Sequence, residues 1–180
     1  EKCGLIRFDP IKEDYSYFFS NTKDSINLVN KQLWDLIEDQ YGILWVATNG
    51  FGLYKIDASR SKITRYQHNP NDSLSLGYDF LRKLYEDTSG NIWIGLNVYG
   101  LNKYDRYKDQ FTVFKHDKNN PASISNNFIQ TIYEDKEGLI FTNRVIDFMR
   151  AKLKDYQEET GNIYNLEAER KIKMTELTAK

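Results

Sequence analysis

The stretch LYEDTSGNIWIGLNVYGLNKYD, Leu84–Asp105, decides the fold because the chain repeats it. The same pattern occurs earlier in LIEDQYGILWVATNGFGLYKID, Leu36–Asp57, and later in IYEDKEGLIF, which begins at Ile132. The starts of these copies are evenly spaced along the chain, with a period of 48. The string GLIRFD at Gly4 matches GLYKID and GLNKYD at the same spacing. A repeat of fixed length indicates a fold that is built from copies of one supersecondary unit.

Each repeat contains four short segments with strand character. In the middle copy they lie near Phe80–Glu86, Asn91–Leu96, Gly100–Asp105 and Gln110–His116. The strings that join them, such as DTSG and NVYG, favour tight hairpins, because Asp accepts backbone N–H bonds and Gly adopts positive φ. The pattern predicts an up-and-down antiparallel unit of four strands.

The second segment of each copy is apolar at nearly every position, as in Ile43–Thr48 and Asn91–Leu96. In an antiparallel sheet this indicates burial on both faces. The small residues Ala47 and Gly95 recur at one position, as expected where neighbouring sheets approach closely. Four-stranded sheets stacked at this period are typical of propeller blades. We predict a mainly β fold, a partial β-propeller with about three blades' worth of strands over residues 1–141.

Composition excludes several classes of function. Lys and Arg number 25 against 26 Asp and Glu, for a net charge of −1, and no basic stripe predicts a nucleic-acid partner. Cys3 is the only cysteine, so no disulfide or cysteine metal cluster forms within the chain. No apolar run approaches the roughly 18 residues of a membrane span, and the first residues are not a signal peptide. No phosphate-binding, zinc or hydrolase motif is present.

Several chemically suggestive residues recur in every copy, which favours structural roles. A catalytic carboxylate pair is needed once, in one cleft, whereas these acids occupy the same turn each time. We interpret the acids as turn residues, the Trp positions as blade packing, and the two His as repeat-related positions rather than one metal site. The residues concerned are Glu38-Asp39, Glu86-Asp87, Glu134-Asp135, Asp9, Asp57, Asp105, Trp45, Trp93, Phe141, His68 and His116. The sequence therefore predicts no catalytic, cofactor-binding or metal-binding residues, no cofactor and no enzyme activity.

The strings SLSLGYDFLRKLYEDTSGNIWIGLNVYGLNKYD and ASISNNFIQTIYEDKEGLI resemble the two-component regulator propeller repeat. The resemblance covers about residues 1–141, with Leu96 in place of the usual Thr and a third copy that departs from the pattern after Ile140. Proteins of that family are hybrid sensor histidine kinases and related regulators with periplasmic propellers. The resemblance implies a ligand-sensing module of a periplasmic sensor, with a carbohydrate-type small ligand in the intact parent. Ligand-binding residues stay unassigned, because such sites are built from the loops of several blades.

Residues 142–180 follow a different pattern, and we predict a tail of one or two α-helices. Val145, Phe148, Met149, Leu153 and Tyr156 recur at helical spacing. We expect Phe148, Met149 and Tyr156 to cover the open edge of the last half-blade.

The segment VIDFMRAKLKDYQEETGNIYNLEA, residues 145–168, resembles an internal segment of anaerobic ribonucleoside-triphosphate reductases. That family needs a radical-bearing Gly and catalytic and zinc-binding Cys residues, which this chain lacks. A fragment related to such a reductase, or a non-functional chimera of the two patterns, are the alternatives to the sensor.

The strand inventory leaves the propeller open. Two strands, two units of four and about two further strands do not form a ring alone, because propellers usually have 4–8 blades. Open ends expose pairing edges and apolar faces. The open blade edges therefore allow self-association, and two chains would supply about six blades.

Overall fold

In the computed structural model, the described residues are 5–17, 28 and 31–143. They form twelve β-strands, joined in antiparallel pairs, and no helix. The strands are β1 (Ile6–Asp9), β2 (Asp14–Tyr17), β3 (Leu33–Glu38), β4 (Leu44–Thr48), β5 (Leu53–Ile56), β6 (Ile63–Tyr66), β7 (Leu81–Glu86), β8 (Ile92–Leu96), β9 (Leu101–Asp105), β10 (Gln110–Phe114), β11 (Thr131–Glu134) and β12 (Ile140–Asn143).

The strands form two complete four-stranded sheets and two hairpins. Blade 1 has the order β3-β4-β5-β6, and blade 2 has the order β7-β8-β9-β10. The strands β1 and β2 form a separate two-stranded sheet, here called the leading half-blade, and β11 and β12 form the trailing half-blade. The prediction of a partial propeller with four-stranded antiparallel units is confirmed for the described residues.

The repeat extends to the register of the strands. Trp45 pairs with Lys55 across β4 and β5, and Trp93 pairs with Lys103 across β8 and β9. The first strand of each blade has an irregularity at its second residue, between Leu33 and Asp35 and again at the equivalent place in β7. Equivalent residues therefore occupy equivalent places, and one blade can be compared with the other position by position.

The main hydrophobic core lies between the two blades. Trp45 and Ala47 of blade 1 pack in one cluster with Leu84, Ile94 and Tyr104 of blade 2. Both faces of β4 are covered, since Val46, which lies between Trp45 and Ala47, is fully buried in a second cluster. Burial on both faces of the second strand is what its continuous apolar pattern predicts.

At two glycine positions, neighbouring atoms leave no room for a side chain. At Gly95, the Cβ of an added side chain would lie 2.8 Å from Cγ2 of Ile129, so the following connection can press against the strand only where the residue is small. At Gly100 φ is +85°, and an added Cβ would lie 2.1 Å from the carbonyl oxygen of Phe114. The Gly-closed turn between the second and third strands is therefore a requirement of the blade.

The strand β12 ends at Asn143, two residues beyond the predicted boundary at residue 141. Residues 1–144 belong to one compact unit of the chain. The predicted helices and the expected cover by Phe148, Met149 and Tyr156 lie outside the described residues. Within the described residues, no helix is long and apolar enough to span a bilayer.

Candidate ligand-binding face

The strands of a blade are antiparallel, so the blade has two distinct ends. At one end lie the turns 49–52 and 97–100, together with the long connections 67–80 and 115–130 that lead from one blade to the next. We call this end the connection face. At the other end lie the acidic hairpins 39–42, 87–90 and 135–138, and we call it the Asp-turn face. The two faces differ in chemistry.

On the Asp-turn face, each repeated Asp organises its own hairpin. Asp39 accepts hydrogen bonds from the backbone N–H groups of Tyr41 (2.9 Å) and Ile43 (3.0 Å) and from the indole N–H of Trp45 (2.7 Å). Asp87 makes the same bond to Trp93 at 2.8 Å. These bonds agree with the interpretation of the acids as turn residues, and they add a link to the buried Trp.

Two of the repeated Glu residues act between blades, whereas Glu38 pairs with Arg60 of its own blade at 3.0 Å. The Glu86 carboxylate accepts a hydrogen bond from the backbone N–H of Gln40 in the preceding blade at 2.9 Å. The Glu134 carboxylate accepts bonds from Thr88 in the same way, from its N–H at 2.8 Å and its hydroxyl at 2.7 Å. The sequence gives no sign of this role, because the partner residues lie 46 positions away.

Arg106 of blade 2 completes the junction. Its guanidinium forms an ion pair with the fully buried Asp39 carboxylate at 2.9 Å and a weaker contact with Glu86 at 3.4 Å. Burial alone would raise the pKa of Asp39, but hydrogen bonds from Trp45, Ile43 and Arg106 hold this pKa below its ordinary value. The Asp39 carboxylate therefore stays charged as part of a structural junction.

A second polar cluster between the blades consists of Lys55, Tyr66, Tyr104 and Asp109, and we call it the inter-blade network. The Asp109 carboxylate accepts hydrogen bonds from the hydroxyls of Tyr66 (2.6 Å) and Tyr104 (2.5 Å). The Lys55 ammonium donates to the Tyr104 hydroxyl at 2.9 Å and lies 5.4 Å from the Trp45 ring centre.

The ionisation of the inter-blade network follows from this geometry. Burial and the hydrogen bond to Asp109 raise the pKa of Tyr104 to about 12, and burial lowers the pKa of Lys55. Burial alone would raise the pKa of Asp109, but the two tyrosine hydroxyls hold it below its ordinary value. Perturbed pKa values often mark functional sites. Here each polar group is bonded to another member of the network, so we interpret it as a junction between blades.

The connection face, in contrast, carries a half-buried Tyr78 ring in contact with two exposed aromatic rings. The Tyr78 ring stacks on Phe80 with ring centres 5.2 Å apart, and on Tyr99 with ring centres 4.5 Å apart. The Lys115 ammonium lies 4.7 Å from the Tyr99 ring centre. We call Phe80, Tyr78 and Tyr99 the aromatic row. Phe80 and Tyr99 are 39% and 38% exposed, which leaves ring surface available to a ligand.

Next to the aromatic row, a cation lies between two further rings. The guanidinium of Arg82 is 4.4 Å from the Trp34 ring centre and 4.9 Å from the Phe128 ring centre. Trp34 is 43% exposed, and Arg82 is two residues from Phe80 on the same stretch of chain. Among the described residues, no carboxylate forms an ion pair with Arg82. We call Trp34, Arg82 and Phe128 the arginine sandwich.

The two repeated histidines lie in the connections. The backbone N–H of His68 donates to Asp79 at 2.8 Å, and its ring Nδ1 lies 2.9 Å from the carbonyl of Leu76. His116 makes the same pair of contacts with Asn127 and Ile124, at 2.7 and 2.8 Å. Within the described part of the chain, no group of three or more His, Cys, Asp or Glu could hold a metal ion. Each His therefore stabilises the conformation of its own connection through contacts within that connection.

Sequence reasoning left the residues of the connection face unassigned, because most of them differ between copies; Phe80 and Phe128, which are one period apart, are the exception. Trp34, Arg82 and Gln130 occupy one position in the three copies, and Phe51 and Tyr99 occupy another. A search for repeats finds the shared frame of the blade and passes over such positions. A repeat position at which the residue type changes from copy to copy, while the surrounding pattern stays the same, was the available sequence signal for these residues.

Known proteins resemble this chain both in fold and in a short stretch of sequence. The fold class is a propeller of four-stranded antiparallel blades. The family described as two component regulator propeller matches residues 27–50, which include β3 and β4. No curated protein matches the chain. Nothing in these comparisons supports the resemblance of the tail to ribonucleotide reductases.

Solved structures with a similar fold come from B. thetaiotaomicron. The extracellular domain of the hybrid two component system BT3049 is 19% identical, with a TM-score of 0.64 over 79% of this chain and 19% of that one. The extracellular domain of BT4673, described as a one component system, is 23% identical, with a TM-score of 0.60 over 78% of this chain and 18% of that one. This chain thus spans about a fifth of the length of the structures it matches.

Proposed function

We propose that this chain is a ligand-sensing propeller segment from the extracellular or periplasmic part of a two-component signal-transduction sensor. The segment binds its ligand without chemical change, and signalling belongs to other parts of the parent protein. The family match at residues 27–50 and the extracellular domains with a similar fold support this proposal. No described residue favours the reductase alternative.

The observation that carries the proposal is the exposed aromatic surface of the connection face. Phe80 and Tyr99 each stack on Tyr78, and this row, beside a Trp and an Arg, forms a surface that a sugar ring can cover with its C–H faces. The polar groups between the blades are hydrogen-bonded to one another. Phe80, Tyr99 and Trp34 on the connection face are exposed, so a ligand can reach them.

The charge on this surface suggests the class of ligand. Arg82 has a cationic fork that matches a carboxylate or sulfate in two parallel hydrogen bonds. Lys115 places a second cation at the other end of the aromatic row. We therefore propose an acidic oligosaccharide, whose sugar rings contact the aromatic row and Trp34 and whose acidic group pairs with Arg82.

The experiment is isothermal titration of the full chain with tetragalacturonate and with its neutral counterpart galactotetraose. We expect the acidic sugar to bind more tightly. The Trp34→Ala variant should lose about tenfold or more in affinity, as expected for an aromatic anchor worth about 2 kcal/mol. The Arg82→Gln variant should bind both sugars with similar affinity, because the charge-assisted bond is lost.

The matched control is Tyr107→Ala, which removes an aromatic ring from the Asp-turn face, where the side chain is fully exposed. This variant should bind as the unmodified chain does. Equal binding by Trp34→Ala and the unmodified chain, or no binding of either sugar at millimolar concentration, would contradict the proposed site.

A further inference from the structure

The turn 49–52 on the connection face contains the pair Asn49-Gly50, which has a chemistry of its own. An asparagine loses ammonia when the backbone nitrogen of the next residue attacks its side-chain carbonyl carbon. Glycine as the next residue makes this attack easiest, because it has no side chain to hinder the approach. In the whole sequence, no other asparagine is followed by glycine. Asn49 is therefore the residue at which this reaction is most favoured.

Three hydrogen bonds hold this pair in the folded turn. The Gly50 N–H, whose nitrogen is the attacking atom, donates to the Asp79 carbonyl at 3.1 Å. The Asn49 carboxamide donates to the side-chain oxygen of Gln32 at 2.6 Å, and the Asn49 N–H donates to the Gln32 carbonyl at 2.9 Å. The attack requires the Gly50 N–H to leave Asp79 and the Asn49 side chain to leave Gln32. The closed turn therefore protects the asparagine.

Connection 67–80 supplies most of this protection. The Asp79 carbonyl also accepts a hydrogen bond from the Gly52 N–H at 3.1 Å. The Phe80 ring lies against Gly50, since an added Cβ there would be 3.1 Å from the ring. One segment therefore holds the attacking nitrogen, and its local opening releases that nitrogen. Surface connections open at a lower cost in free energy than the core does.

We propose that Asn49 is a site of covalent modification that the opening of connection 67–80 controls. In the open state the Gly50 nitrogen forms a bond to Cγ of Asn49, the Cγ–Nδ2 bond breaks, and ammonia leaves with the proton from Gly50. The product is a succinimide, and water opens either of its carbonyls to give aspartate or isoaspartate. The net reaction consumes water and releases ammonia, with no oxidant. This assignment goes beyond the sensor function and does not depend on it.

The modification changes the connection face permanently. Either product carries a carboxylate in place of the neutral Asn49 amide, beside the side chain of Gln32. Isoaspartate also adds a methylene group to the main chain, in a turn that has little room for it. An added Cβ at Gly52 would lie 2.1 Å from the carbonyl oxygen of Tyr66. The isoaspartate form therefore shifts the turn as well as its charge.

Peptide mass spectrometry of the full chain tests the proposal after incubation in warm, mildly alkaline buffer. The tryptic peptide 32–55 contains Asn49 as its only asparagine, so the mass shift of deamidation in this peptide reports the site. We expect gradual modification in the folded chain, about tenfold or more slower than in the guanidinium-unfolded chain. Peptide 84–103 is the internal control. Its Asn97 occupies the same repeat position but precedes Val98, and it should show little modification.

A matched pair of substitutions tests control by the connection. The Asp79 carboxylate accepts a hydrogen bond from the His68 N–H at 2.8 Å. One repeat later, Asn127 accepts the same bond from the His116 N–H at 2.7 Å. Asp79→Ala loosens connection 67–80 and should speed the modification by about threefold or more, whereas Asn127→Ala loosens the other connection and should leave the rate unchanged. Asp79→Asn keeps an acceptor and should restore the slow rate.

Three results would each overturn the proposal. They are equal rates at Asn49 in the folded and unfolded chains, equal effects of Asp79→Ala and Asn127→Ala, and modification of Asn49 in the unfolded chain alone. The comparison of folded and unfolded chains needs no variant, so it decides the matter even if Asp79→Ala does not fold. The sugar-binding test uses fresh, unmodified protein, so none of these outcomes affects it.

Discussion

At the scale of single residues, Asp39 shows how much of a role follows from sequence. Its bonds to the next backbone N–H groups could be predicted, because Asp before a Gly-closed turn accepts such bonds in any protein. Its ion pair with Arg106 could not, since Arg106 lies in the next blade and approaches only after the blades pack. Glu86 and Glu134 follow the same rule, because their partners lie in the preceding blade.

The first prediction concerns the buried ion pair. Asp39→Ala leaves the Arg106 guanidinium and the Trp45 indole N–H without their carboxylate partner. We expect the free energy of unfolding to fall by about 3 kcal/mol, as is usual when one member of a buried pair is removed. Chemical denaturation measures the change.

Asp135→Ala is the matched control. Asp135 occupies the same turn of the trailing half-blade, but within the described part of the chain its carboxylate bonds only to backbone N–H groups, because Phe141 has no indole N–H. Its removal should cost about 1 kcal/mol. Equal losses for the two variants would show that the Trp45 and Arg106 contacts add nothing to the turn.

The second prediction concerns pH. The pKa of Asp39, Asp87 and Asp109 is lowered in the folded protein relative to the ordinary value of 3.8, so the unfolded chain binds protons first. The stability that these carboxylates contribute is complete above about pH 5 and is lost as the pH falls through their folded pKa values. The free energy of unfolding should therefore decrease from about pH 5 to about pH 2. The free energy of unfolding of Asp39→Asn should decrease less steeply over this pH range. A curve parallel to that of the unmodified chain would contradict the lowered pKa of Asp39.

At the scale of elements, the position shared by Ala47 and Gly95 explains how the blades are spaced. The sequence predicts a small residue there, and the structure supplies the reason for glycine in blade 2, since Ile129 presses against the strand. The period of 48, the four strands and the hairpin turns could likewise be predicted, with strand ends within one or two residues, because repeated local patterns determine them.

The third prediction tests this contact. Gly95→Ala places a Cβ 2.8 Å from Cγ2 of Ile129, so the connection must move, at a cost of about 1–3 kcal/mol. Ile129→Ala removes the opposing methyl group and should recover part of the loss in the double variant. A double-mutant cycle from urea denaturation measures the coupling, and additive effects of the two substitutions would contradict the contact.

Other elements could not be predicted from sequence. The connections 67–80 and 115–130 carry Tyr78 and Phe80 of the aromatic row and Phe128 of the arginine sandwich, and most of their side chains differ from copy to copy. Whether Tyr78 stacks on Tyr99 depends on the separation of two loops that lie in different parts of the repeat. Tertiary packing fixes this separation, and no local pattern encodes it.

At the scale of the whole molecule, the polar junctions of the Asp-turn face and the proposed binding surface occupy opposite ends of the blades. The Asp-turn face and the inter-blade network use their polar groups to join blade to blade. The connection face holds aromatic rings and cations on loops and strand ends, most of which differ between copies, as is common where a rigid scaffold carries a variable binding surface.

This division of roles is the central claim, and calorimetric titration with tetragalacturonate tests it most directly when Trp34→Ala and Asp39→Ala are measured together. We predict that Trp34→Ala weakens binding by about tenfold or more with little change in the melting temperature. Asp39→Ala should lower the melting temperature and keep its affinity at temperatures where it is folded. Unchanged affinity in Trp34→Ala, together with lost binding in folded Asp39→Ala, would contradict the claim.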